Sequence, residues 1–122
     1  MAEIERPTSP HLQIYRPQLT SVLSIGHRIT GVFLILGSVG LTVWLITLAA
    51  SEAAFVSFEA IRRSIGGQVF CVASLFSLYY HLANGVRHLA WDMGWGFDMG
   101  HTYQSGYAAV GFACVMTVVV LI

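Results

Sequence analysis

Residues 79–92 read Tyr-Tyr-His-Leu-Ala-Asn-Gly-Val-Arg-His-Leu-Ala-Trp-Asp, a dense run of polar chemistry in an apolar chain. It holds His81, Asn84, Arg87, His88 and Asp92. On a helix, residues seven apart fall within about 20° of one face and about 10 Å apart along the axis. His81 and His88 therefore share a face, with Asp92 one turn beyond His88. A neutral imidazole set deep in an apolar segment needs a hydrogen-bond partner or a metal. It can act as glue between helices, bonded to a serine, a tyrosine or a carbonyl. Its lone pair can also bind iron. A haem b asks the protein for one or two axial ligands, often histidine, and for cations or donors at its two propionates. The chain has no Cys-x-x-Cys-His to attach a haem covalently. His81 is the deeper histidine, with Ser77 and Gly85 one turn to either side leaving space for a flat ligand. The alternative is His88 as ligand and His81 as glue. His27, Arg28 and His88 lie nearer the end of their segments, where propionates would emerge.

Ser24 and Arg28 form a second pair, at i and i+4 on one face. A quinone head group has two carbonyl oxygens that gain negative charge and protons on reduction. A fixed guanidinium and a hydroxyl could bind and polarise it. The competing reading of Arg28 is a side chain reaching up to lipid head groups. Asp92 could orient His88 or pass protons to such a site, or simply be a solvated carboxylate or a turn cap.

These residues need a scaffold, and composition says which kind. The chain has 122 residues, 56% of them hydrophobic and 10% charged, with mean hydropathy +0.70. That is one domain at most, and too apolar for an ordinary soluble one. The six basic residues are all arginines and form no long run, so nucleic-acid binding has no support. Cys71 and Cys114 both sit in apolar runs and read as small core residues.

An all-α membrane protein with three transmembrane helices follows, at about 22–50, 68–87 and 103–122. Residues 1–20 contain all three prolines and read as a non-spanning N-terminal segment. Their acidic, proline-broken character fits neither a signal peptide nor a transit peptide. Residues 51–66 are expected to be a connecting segment with an interfacial helix or turn, ended by Gly66 and Gly67. Residues 86–102 are expected to be a polar connection holding Arg87, flanked by membrane-boundary aromatics Trp91, Trp95, Phe97 and Tyr103. Three spans set the termini on opposite sides. Arg6, Arg16, Arg28 and Arg87 against Arg62 and Arg63 favour an N-terminus inside. Ser24, His27, Arg28, His81, Arg87, His88 and Asp92 then gather at one membrane face, which speaks against a channel across the bilayer. Only His81 among the five histidines is expected to be deep, so a second axial ligand points to His27 or, more readily, to another chain. Small-residue stripes on the second span and on the third (Ser105, Ala109, Ala113) also point to a neighbouring chain.

Two ordered motifs then carry a resemblance. Ser24-Ile25-Gly26-His27-Arg28-Ile29-Thr30-Gly31 and His81-x-x-x-Gly85-x-Arg87-His88-x-x-x-Asp92 resemble the signatures of the cytochrome b-type membrane anchor subunit of succinate dehydrogenase. So does the leader Arg6-Pro7-x-Ser9-Pro10-His11-x-x-x-Tyr15. The resemblance covers nearly the whole chain. It implies a single anchor domain forming half of a two-subunit helical bundle around haem b. It implies partners: a second membrane anchor subunit supplying the other haem ligand, an iron–sulfur subunit, and a flavoprotein subunit with FAD. It implies that His81 is the axial ligand, that His27, Arg28 and His88 lie near the propionates, and that Ser24 and Arg28 belong to a ubiquinone site. Asp92 would lie on a proton path. The enzyme would be succinate:quinone oxidoreductase in the lipid bilayer, with no catalytic residue in this chain alone. The absence of a transit peptide favours the bacterial inner membrane over the mitochondrial one. A purely structural anchor without haem is the contrasting expectation.

Overall fold

The computed structural model describes residues 16–122. The leader motif from Arg6 to Tyr15, His11 included, lies outside the described residues. The described chain is helical: α1 (Leu19–Ala50), α2 (Glu52–Arg63), α3 (Ile65–Asp92) and α4 (Met99–Leu121). α1, α3 and α4 are each long and apolar enough to cross a membrane. α1, with 32 residues, is about 48 Å long, well beyond a hydrocarbon core of about 30 Å.

The connections at one end are single serines. Ser51 ends α1 and caps α2, its Oγ accepting from the Ala54 N–H at 3.2 Å. Ser64 ends α2 and caps α3 in the same way, accepting from the Gly67 N–H at 3.2 Å. The cap explains a difference from the sequence expectation. Gly66 and Gly67 do not close the connecting segment but form the first turn of α3. α2 itself is a charged helix with Glu52 in its first turn and Arg62 and Arg63 in its last, each sign matched to the helix dipole. Glu59 accepts two 2.7 Å bonds from Arg62 and one of 3.3 Å from Arg63. The bonds from Arg62 hold the Glu59 carboxyl down to about 2, so it stays ionised at neutral pH.

α3 also outlasts the expected span at its other end. The helix runs on through Asp92, with Arg87 and His88 finding partners inside the bundle, and the connection shrinks to 93–98. Arg87 is therefore a buried residue of α3 and not a loop cation.

α3 packs on both α1 and α4. It buries Ser77, Tyr80, Asn84 and Arg87, a 3-4-3 spacing that keeps one stripe inward. α4 buries Thr102, Gly106, Ala109, Ala113 and Thr117. This corrects the direction of the small-residue stripe on the third span. Ala109 and Ala113 face the inside of this chain, not a neighbouring one. A small-residue stripe lets any helix come close, and within the chain α3 takes that place, with Leu19 and Leu23 of α1 seated against Gly106. The outward faces are large and apolar, as with Ile29, Val32, Ile35, Leu36 and Val39 on α1. Such a surface suits lipid as solvent.

Candidate functional site

The first motif of α1 is built to receive α3. Tyr80 of α3 donates its hydroxyl to the Leu23 carbonyl at 3.1 Å. A Cβ at position 26 would stand 2.6 Å from that hydroxyl oxygen, so only glycine fits there. Five residues further, a Cβ on Gly31 would lie 3.0 Å from the His81 ring, so the second glycine leaves the berth for the imidazole. Thr30 fills the ground between. Its hydroxyl lies 2.9 Å from the carbonyls of both Gly26 and His27, and 3.4 Å from His81 Nδ1. The Gly-His-Arg-Ile-Thr-Gly sequence thus follows from docking one helix on another as much as from any reaction.

His81 Nδ1 lies 3.0 Å from the His27 carbonyl oxygen. A carbonyl can only accept, so Nδ1 carries the proton and the lone pair is on Nε2. No protein group among the described residues bonds that Nε2. His88 is fixed likewise, its Nδ1 donating to the Asn84 carbonyl at 2.7 Å. Both imidazoles therefore have a free Nε2, the tautomer a metal ligand needs, and tautomer alone does not choose between them.

His27 was expected at the membrane boundary, but it lies level with His81. Their rings stack with centroids 3.8 Å apart and planes 14° apart, and His88 follows at 5.1 Å from His27. The order is His81, His27, His88. The register of α1 on α3 produces this column. Imidazole lone pairs lie in the ring plane, so two stacked rings cannot aim them at one iron between them. His27 and His81 in this arrangement do not form an axial pair. His27 Nδ1 is buried with no partner.

Next to the column is a cavity of about 420 Å³ lined by Thr20, Ser21, Ser24, Ile25, Arg28, Arg87, His88 and Trp91. Its size is that of a small-molecule pocket. Ser24, Arg28 and His88 of the expected residues meet here. His81 and His27 do not line it, and His88 joins the column to the cavity. Arg28 is exposed. Asp92 is exposed and absent from the lining. Sequence reasoning gathered Arg87 at this membrane face without giving it a ligand, and did not assign Trp91, Thr20 or Ser21 to the cavity; the i, i+4 spacing of Arg87 and Trp91 was the available signal. A larger apolar groove of about 750 Å³ lies at the opposite end, between Gly37, Trp44, Phe58 and Phe70, with none of the described histidines in its lining.

Among the described residues no three His, Cys, Asp or Glu side chains converge to hold a bare metal ion. A haem makes a smaller demand, since its macrocycle supplies four nitrogens and the protein need give only an axial one. A tautomer-locked imidazole with a free Nε2 fits that demand.

A family model described as the transmembrane subunit of succinate dehydrogenase/fumarate reductase matches residues 2–120. The succinate dehydrogenase cytochrome b556 subunit of Paracoccus denitrificans is 38% identical, over 100% of this chain and 96% of that protein. That of Rickettsia typhi is 39% identical over 93% and 88%. The cytochrome b560 subunit of Reclinomonas americana is 39% identical over 95% and 84%.

Proposed function

The chain belongs to the succinate dehydrogenase/fumarate reductase transmembrane-subunit family, and on that premise we propose that it is the cytochrome b-type membrane anchor of succinate:quinone oxidoreductase. It would hold haem b jointly with a second anchor subunit and contribute to the site of ubiquinone reduction. The observation that carries this reading is His81, with Nδ1 tied to the His27 carbonyl and Nε2 free.

Bound haem would supply a one-electron carrier within the membrane. His81 would hold the iron through Nε2, and the His27 carbonyl would keep the ring from turning. We prefer His81 to His88 because Gly31 makes a dedicated berth for it, whereas His88 opens on the cavity. His27, Arg28 and His88 would face the propionates. With His27 stacked on His81, a second iron ligand would come from the partner anchor.

In the cavity, the Ser24 hydroxyl and the Arg28 guanidinium would donate to the quinone oxygens. Reduction adds two electrons and two protons to the two carbonyl oxygens, giving the hydroquinone. Arg28 would stabilise charge on oxygen before the protons arrive. Asp92, exposed one turn beyond His88, would take up protons from the aqueous side. Electrons would come from the iron–sulfur subunit, and succinate oxidation would stay with the flavoprotein subunit and its FAD. The whole chain is then a single anchor domain.

A haem-free structural anchor has one observation in its favour, that His81 already has protein partners in His27 and Thr30, as helix glue would. The absorption spectrum of the purified complex, reduced minus oxidised, separates the two. A b-type signal is expected, and its absence would leave the structural anchor standing.

The N-terminus and the 93–98 connection would share the side of the peripheral subunits, the cytoplasm in a bacterium. Arg16 and Arg28 support this side, while Arg62 on the other is engaged by Glu59. A cysteine replacing Asp98 should react with a membrane-impermeant reagent from that side, and one replacing Ser57 from the other. The reverse pattern would invert the topology.

A further inference from the structure

Arg87 is a buried cation that the scheme above leaves without a task. It is 8% exposed. Its Nε donates to Ser105 Oγ at 3.1 Å, Nη1 to Asn84 Oδ1 at 2.7 Å, and Nη2 to the Thr102 carbonyl at 3.1 Å. The guanidinium also lies over the Trp91 ring, 4.8 Å from its centroid. Every one of these partners is neutral. Among the described residues the carboxylates found in ion pairs are Glu59 and Asp98, neither of them with Arg87. Asp92 is exposed and does not reach it. A charge taken out of water is normally balanced by an opposite one, because dipoles alone recover little of its lost hydration. Two of its five N–H groups remain for another acceptor.

Arg87 lines two cavities, the one beside the histidine column and one of about 410 Å³ beside His101 and Gln104, and it is the former that brings a second guanidinium to the same space. Arg87 and Arg28 both line it, with His88, and its lining holds no carboxylate. We propose that Arg87 is the fixed counter-charge for an oxyanion bound in this cavity. The inference rests on the functional reading given above, which offers two sources of an oxyanion: a haem propionate, or a quinone oxygen as charge builds on it. Arg28 is exposed and has to be gathered in, whereas Arg87 is held in position by α4 before any ligand arrives. Preorganised charge of this kind needs no reorientation when the ligand binds or is reduced.

Asn84→Asp is the most direct variant. It sets a carboxylate where Oδ1 now accepts at 2.7 Å, cancelling the charge while keeping the arginine and the side-chain size, and it gives up the Nδ2 bond to the Tyr80 carbonyl at 3.1 Å. Arg87→Gln removes the charge, and Arg87→Lys keeps it without the fork. Each is assembled into the four-subunit complex and read by redox titration of the haem and by KM for a short-chain ubiquinone. Transfer from succinate to a soluble acceptor is the reference. A propionate at Arg87 predicts that Asn84→Asp and Arg87→Gln disfavour the reduced haem about tenfold, a fall of about 59 mV for one electron. A quinone oxygen there predicts a KM about tenfold higher at an unchanged haem potential. Arg87→Lys should stay near wild type in both cases. The proposal is overturned if Asn84→Asp or Arg87→Gln assembles with both readouts at wild type, or if Arg87→Lys loses as much as Arg87→Gln. A wild-type complex with no b-type haem and no quinone reduction would instead sink the functional reading itself.

Discussion

In the assembled complex, His81→Ala is expected to abolish the low-spin b-type spectrum, with haem content falling at least tenfold. Loss of a group that merely orients a metal ligand costs about 10–100-fold in affinity, and loss of the ligand costs no less. The backbone consequences are small. The His27 carbonyl loses the imidazole donor but keeps the Thr30 hydroxyl at 2.9 Å, so no acceptor is stranded. The complex should therefore assemble, which makes the spectrum readable. Added imidazole should restore part of the signal by occupying the vacated berth against Gly31. Glue between helices has no such signature. His88→Ala is the comparison, because its Nε2 is equally free. It should shift the haem signal without removing it. Loss of haem in His88→Ala with retention in His81→Ala would reverse the two assignments.

Arg28→Leu is expected to lower succinate-to-quinone activity about 100-fold while transfer to a soluble artificial acceptor changes less than twofold. Removing one donor that meets developing charge on oxygen costs about 10²–10³ in rate in well-studied cases. The cavity leaves Arg28 without a carboxylate competitor, so its charge is available to the substrate. Arg28→Lys should recover part of the activity, since the point charge survives but the planar fork does not. A side chain that only reaches for lipid head groups predicts otherwise. Lysine would then serve fully, and leucine would cost quinone and artificial-acceptor activity alike.

Much of this was legible in the sequence, for identifiable reasons. Three apolar runs can be read because bilayer thickness fixes their length. Ser24 with Arg28, and His81 with His88, can be read because spacing within one helix fixes the shared face. What involves two helices could not be read. The depth of His27 depends on the register of α1 against α3, set by Tyr80 reaching over Gly26. Arg87 looked like a loop residue because arginine is costly in a span. It became a helix residue only once Ser105 and Thr102 of α4 were there to accept from it. The stripe of Ala109 and Ala113 reads the same whether the helix it faces belongs to this chain or another. Asp92 shares the face of His88 by count, yet it is exposed and the cavity wall at that height is Trp91.

The bonds from Arg87 to α4 also bear on how the chain enters the bilayer. α3 alone would present lipid with a guanidinium bonded only to its own Asn84. Ser105 and Thr102 arrive with the following helix. An arginine at the centre of a lone segment resists insertion by about 2.5–3.5 kcal/mol, and less nearer its end. During biogenesis α3 therefore gains from waiting at the insertion machinery until α4 has been synthesised, and the two enter as a hairpin. The connection of 93–98 is short enough for that pairing to form as soon as α4 emerges. The residue proposed to balance a ligand's charge in the finished complex thus also couples the entry of α3 into the bilayer to that of α4.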